Sequence, residues 1–263
     1  MLRARVITAL FLAAGFLAVL FLLPDALVGI VFAIIAAMAA WEWAGLMKPG
    51  QQGAMVRLLY AGLILFVCVA LWATADDYSP LLWSLAVFFW LLIVPVWLMR
   101  GWRPGWAGYV VGLILLVPTW AAMVALYVHG PFVLLAVMAL VWVADIAAYF
   151  TGRAFGRHKL APAISPGKTW EGVAGAVVGV LLFGLIVGMF LPVVHDVTWL
   201  PLAGFLLIFT ALSIIGDLFE SMIKRQANMK DSSQLLPGHG GILDRIDSQI
   251  STLPLAAVTL HWL

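Results

Sequence analysis

One cysteine, Cys68, stands in a chain of 263 residues, so no disulfide can form within it, and a disulfide-stapled framework is excluded. Its place inside a long apolar run reads as a small buried residue. Charge is scarce too. Asp, Glu, Lys and Arg make up 10% of the residues while 65% are apolar. That balance lies outside soluble-globular usage, where about a quarter of residues are charged. The apolar runs also lack period-2 alternation and are too long for barrel strands. No internal repeat or low-complexity segment is evident, and no nucleic-acid partner is expected.

What is present is hydrocarbon in span-length pieces. Runs near 6–23, 27–47, 57–74, 80–98, 107–128, 131–151, 171–191 and 199–219 each approach the ~20 residues that cross a bilayer. A ninth, near 250–263, is short. The expectation is an all-α, polytopic helical integral membrane protein with about eight or nine transmembrane helices. The first run follows Arg3 and Arg5 but has no clear small-x-small cleavage site before Pro24-Asp25, so it reads as a retained helix and not a signal peptide.

Basic residues are missing from alternate loops. All 14 Lys and Arg fall on one side of the span order: Arg3, Arg5, Lys48, Arg57, Arg100, Arg103, Arg153, Arg157, Lys159, Lys168, Lys224, Arg225, Lys230 and Arg245. The opposite loops hold Asp25, Asp76, Asp77, His129, His195 and Asp196. The positive-inside rule then puts the N-terminus and both charge-rich loops in the cytoplasm, as in a bacterial-type inner membrane.

Residues 1–106 read as an N-terminal four-span region with plain loops, where Pro80, Pro95 and Pro104 mark span edges or kinks. Glu42, between Trp41 and Trp43, reads as an interfacial residue near a span end, and no site is expected in this half. Tryptophans 41, 43, 102, 106 and 199 fall near span ends, as an aromatic belt would.

Residues 107–263 read as the C-terminal membrane region, and from residue 131 onward polar groups appear at span ends and both long loops gather charge. Asp145 lies inside the sixth span with Tyr149 one turn later on the same face. An acid in hydrocarbon needs a partner or water. Gly152, Gly156 and Gly167 with Pro162 and Pro166 then build a loop. It ends in Lys168-Thr169 just before the seventh span, with Glu171 in that span's first turn. A helix N-terminus flanked by lysine suits an anion. Gly167-Lys168-Thr169 match the end of a Walker A loop, but Pro162 takes the place of its first glycine, so a P-loop NTPase is unsupported. Asp217, Glu220 and Lys224 share one helical face. A salt-bridged surface stripe and a functional cluster both fit that spacing.

Most of the patterned polarity sits in the 27 residues SMIKRQANMKDSSQLLPGHGGILDRID, Ser221 to Asp247. Cations, flexible backbone and carboxylates alternate there at short range, as sites for phosphates and metals require. Hard divalent cations such as Mg2+ prefer carboxylate oxygens, while zinc would want more than His239 without a nearby Cys. Metals held by aspartates can neutralise a triphosphate and stabilise a diphosphate leaving group. Gly240 and Gly241 would let backbone N–H groups approach phosphate oxygens. A site at the membrane boundary implies one water-soluble and one lipid substrate. A lipid phosphate monoester, with its second pKa near ~6, needs no strong general base.

The same stretch resembles the signature of the phosphatidate cytidylyltransferases, or CDP-diacylglycerol synthases: Ser-x-hydrophobic-Lys-Arg, four residues, Lys-Asp, then Pro-Gly-His-Gly-Gly-hydrophobic-x-Asp-Arg-hydrophobic-Asp. The segments DIAAYFTGRAFGRHK and SPGKTWEG are similar to that family as well, whereas the N-terminal half matches only in being hydrophobic. The resemblance implies conversion of CTP and phosphatidic acid to CDP-diacylglycerol and diphosphate among membrane lipids, with Mg2+ and a second cation, in a helical fold that forms a homodimer. It implies Asp217 and Asp244 as metal ligands, with Asp231 and Asp247 as further ligands or supports. Lys224, Arg225, Lys230, His239 and Arg245 would bind phosphates. Ser165, Lys168 and Glu171, with Arg153 and Tyr149 nearby, would shape the opposite wall.

Polyprenol or phytol kinases that use CTP would share a membrane nucleotide site but must activate a hydroxyl, and the full signature favours nucleotidyl transfer. A CDP-alcohol phosphotransferase lacks support because its Asp-Gly-x-x-Ala-Arg motif is absent. A secondary transporter would show two related halves and a midplane site. Here charge gathers in two loops on one face.

Overall fold

The computed structural model describes residues 2–47, 53–74, 79–191 and 197–263. Helices run in chain order as α1 (Leu2–Leu22), α2 (Asp25–Met47), α3 (Ala54–Ala73), α4 (Ser79–Phe88), α5 (Val94–Arg100), α6 (Ala107–Val128), α7 (Pro131–Phe155), α8 (Trp170–Gly188), α9 (Trp199–Gln226) and α10 (Leu243–His261). A hairpin, β1 (Lys159–Ala161) and β2 (Ser165–Thr169), joins α7 to α8. Seven helical units are long and apolar enough to cross a membrane, with α4 and α5 counted as one and α10 not among them, and α1 adds the apolar stretch Ile7–Leu22. The protein is an all-α, multi-pass membrane protein.

Proline chemistry explains two irregularities. Pro95 has no N–H to return to the preceding turn, and the chain widens into a π-helical turn over Phe89–Ile93 just before it. Pro254 in α10 likewise leaves the Ile250 carbonyl without its helical donor. The Thr119 hydroxyl of α6 reaches that carbonyl at 3.2 Å and its own Leu115 carbonyl at 2.6 Å.

The last helix departs from the sequence reading. It begins at Leu243, well before the short apolar run, and lies at the centre of the bundle against α4, α6 and α9. Ser248, Gln249, Ser251 and Thr252 are buried there. The Ser248 and Ser251 hydroxyls donate to the Ser213 and Leu212 carbonyls of α9 at 3.0 and 2.8 Å. Gly216 allows that approach, because a Cβ there would collide with Ser251. A helix clad by neighbours can carry polar groups that lipid would not tolerate.

Hydrogen bonds tie the charge-rich ends of the helices together. Gln226 at the end of α9 donates to the Gly101 and Trp102 carbonyls past α5, and Thr8 of α1 donates to the Pro237 carbonyl. At the other end Tyr127 donates to Asp25 at 3.1 Å. Lys48, Asp76, Asp77, His195 and Asp196 lie outside the described residues. Trp102, Trp106 and Trp199 are exposed as belt residues should be, but Trp43 is 1% exposed, with its indole N–H on the Gly108 carbonyl at 2.7 Å. It packs the core and is no belt anchor.

Candidate active site

The C-terminal part of α7 places Asp145, Tyr149 and Arg153 at four-residue spacing on one face. Arg153 donates to the Tyr149 hydroxyl at 2.9 Å. The hairpin then turns the chain back, pairing Lys159 with Thr169 and Ala161 with Ser165. Thr169 caps α8 by accepting the Gly172 N–H at 3.1 Å. Lys168 is thereby aimed at α9, where its ammonium lies 2.6 Å from Asp217. Between α7, β2, α8 and α9 opens a cavity of about 440 Å³ whose polar wall is Asp145, Tyr149, Arg153, Ser165, Lys168 and Asp217. Asp145 is exposed to it, ten residues and therefore about 15 Å from the end of α7. The cavity thus runs well along a helix that is long and apolar enough to span a membrane.

A second polar cluster lies where α9 meets α10. Lys224 contacts Asp244 at 2.6 Å and Glu220 at 3.4 Å, and all three side chains are largely buried, at 12%, 5% and 5% exposure. The surface-stripe alternative for Glu220 and Lys224 is therefore wrong, because the stripe faces α10. The other oxygen of Asp244 accepts the Ser232 N–H and hydroxyl and the Gly241 N–H at 2.8 to 2.9 Å. Burial raises the Asp244 pKa, but the Lys224 ammonium and the two backbone N–H groups outweigh it and hold the carboxyl below its ordinary range.

The two glycines of Gly-His-Gly-Gly nearest α10 are shaped around carboxylates. Gly240 has φ +79°, and a Cβ there would press on Asp244, while one on Gly241 would collide with Ser232 and Glu42. Glu42 itself is 0% exposed, which overturns its reading as an interfacial residue. It accepts hydrogen bonds from Ser232, Ser233, Ile242 and Leu243 of the signature.

Other sequence candidates spread more widely. Arg225, Lys230, Asp231 and Arg245 are exposed. His239 is half-buried, and among the described residues its Nδ1 has no partner. Glu171 does not line the cavity. It lies on another face of α8 and holds the His158 ring at 2.7 Å and the His158 N–H at 3.2 Å.

The cytidylyltransferase family matches residues 3–263. The chain belongs to that family. A phosphatidate cytidylyltransferase of Pseudomonas aeruginosa is 41% identical over 99% of this chain and 97% of its own length. One from Haemophilus influenzae is 36% identical over 97% of this chain and 96% of its own. One from Staphylococcus epidermidis is 46% identical over 46% of each.

For a cytidylyltransferase, the donor set matters next. Among the described residues no three His, Cys, Asp or Glu form a ready cage for a metal. Asp145 and Asp217 nonetheless share the wall of one cavity, while Asp247, on α10, is not part of it. Carboxylate oxygens of that kind fit a hard cation. Asp217 has one oxygen on Lys168 and the other on the Ser221 hydroxyl at 3.2 Å, a long and displaceable bond. Asp244 fits less well, since the Lys224 ammonium at 2.6 Å and three further donors at 2.8 to 2.9 Å hold its two oxygens. Asp231 sits on the exposed connector.

Proposed function

We propose that the protein transfers CMP from CTP to phosphatidic acid, giving CDP-diacylglycerol and diphosphate, at the cytoplasmic face of a bacterial inner membrane. The observation that carries this reading is the cavity in which Lys168 and Arg153 face Asp217 and Asp145 beside the span-length helices α7, α8 and α9. Phosphate-binding cations and cation-binding carboxylates meet there beside the exposed, apolar Phe150. The full-length likeness to phosphatidate cytidylyltransferases supports the same choice of substrates. The one-sided basic residues support the orientation.

In this reading a phosphate oxygen of phosphatidic acid attacks the α-phosphorus of CTP. The bond from that phosphorus to the bridging oxygen breaks, and diphosphate leaves with the electron pair. The nucleophile is largely ionised at neutral pH, so no strong base is required of the protein. Lys168 and Arg153 orient phosphate oxygens and offset the negative charge that develops. Asp217, with Asp145, would hold Mg2+, which neutralises triphosphate charge when bound. Lys224 is committed to Asp244 and Glu220, so its part is to hold α9 against α10.

The test is transfer by purified protein in mixed micelles with CTP, phosphatidic acid and Mg2+, each omitted in turn. Label from α-labelled CTP should enter the lipid only when all three are present. Label from γ-labelled CTP appearing in a lipid alcohol would replace this reading with a lipid kinase.

A further inference from the structure

Glu42 is a carboxylate in the middle of an apolar sequence, distant in the chain from the other polar groups of the site. It is fully buried at the end of α2, and each of its oxygens takes two donors. One accepts the Ser233 hydroxyl at 2.6 Å and the Ile242 N–H at 3.0 Å. The other accepts the Leu243 N–H at 2.7 Å and faces the Ser232 hydroxyl at 3.0 Å. Ile242 is the N-cap of α10 and Leu243 its first residue, so Glu42 caps that helix from another part of the chain, where the macrodipole favours an anion.

The Ser232 hydroxyl lies 3.0 Å from Glu42 and 2.9 Å from Asp244, yet it has one hydrogen to give. The two carboxylates therefore share a donor, and a shift of one is felt by the other and by Lys224. The support behind Glu42 is rigid. Trp43 is hydrogen-bonded to Gly108 and stacks on Phe219 of α9 at 6.3 Å. Arg57, close enough for its charge to act on Glu42, lies over the Trp41 ring at 3.4 Å and donates to the Trp41 carbonyl.

We infer that Glu42 is a positioning residue for nucleotidyl transfer: it sets the connector Ser232–Leu243 and, through Ser232, the Asp244–Lys224 pair that holds α9 and α10 in register around the site. This rests on the function proposed above. The N-terminal half thus supplies a group to the site, through α2.

Full-length protein would be compared with Glu42→Gln, Glu42→Ala and Ser233→Ala by kcat and KM for CTP, per folded protein, alongside thermal melting. Glu42→Gln keeps the size but presents an amide N–H to two donors. It should lower kcat by about tenfold to a hundredfold with KM for CTP changed less than about threefold. Ser233→Ala, which removes one donor, should give a smaller fall of the same kind. A merely structural role would lower the melting temperature and leave kcat of the folded fraction untouched, which overturns the inference. Should the Glu42 variants fail to fold, wild-type kcat in Ser233→Ala overturns it as well. Wild-type protein that transfers no CMP sinks the proposed function and this inference together. An active wild type with fully active variants sinks the inference alone.

Discussion

At the scale of single residues, Asp244 and Asp217 are held differently although the sequence reading pairs them as metal ligands. Asp217 has one oxygen on Lys168 and lines the cavity. Asp244 has Lys224, Ser232 and Gly241 on its oxygens. Asp244→Asn would set an amide N–H against one of those donors. It should cost about 1–3 kcal/mol of stability as well as turnover, read as a lower melting temperature in detergent. Unchanged melting with lost turnover would instead place Asp244 among the groups that only meet substrate. Asp145, Lys168 and Asp217 stand out in the sequence because polar residues in an apolar chain are expensive, whereas Arg153 enters only through the resemblance. Glu42 stands out equally, but its partners are 190 to 201 residues away. Only the fold brings them together. The glycines of the signature were legible as special backbone, but not the carboxylates they wrap.

At the scale of elements, span-length apolar runs gave most of the helices, because hydrocarbon thickness fixes their length. The exception, α10, starts with Leu243-Asp244-Arg245 and carries buried hydroxyls, so hydropathy locates only its later part. What makes it a core helix is contact with α4, α6 and α9. The β1–β2 hairpin is likewise set by where α7 and α8 stand, and that tertiary arrangement aims Lys168 at Asp217. The Thr119 bridge tests how tightly α10 is held. Thr119→Val leaves the Ile250 carbonyl without the donor that Pro254 denies it, and should cost about 1–3 kcal/mol in a denaturant melt. Thr210→Val removes a hydroxyl that returns only to its own helix, at Leu206, and should cost less. Equal losses would mean that the bridge to α10 adds nothing.

At the scale of the whole molecule, an antiparallel bundle brings the charged helix ends to one side. Packing of α9 against both α8 and α10 sets the Lys168–Asp217 pair and the Lys224–Asp244 pair about two turns apart along one helix. The likeness to full-length phosphatidate cytidylyltransferases extends over both halves of the chain, including the half whose sequence offers only hydrocarbon and Glu42. The continuous core from α2 to α10 gives a physical reason, since the signature is positioned by helices from both. The most direct measurement is lipid labelling from α-labelled CTP by wild-type protein and by Asp217→Asn, side by side with their melting curves. The account predicts transfer to phosphatidic acid by the wild type, and a loss of about a hundredfold or more in a variant that melts like it. Wild-type rates from Asp217→Asn would contradict the placement of the site.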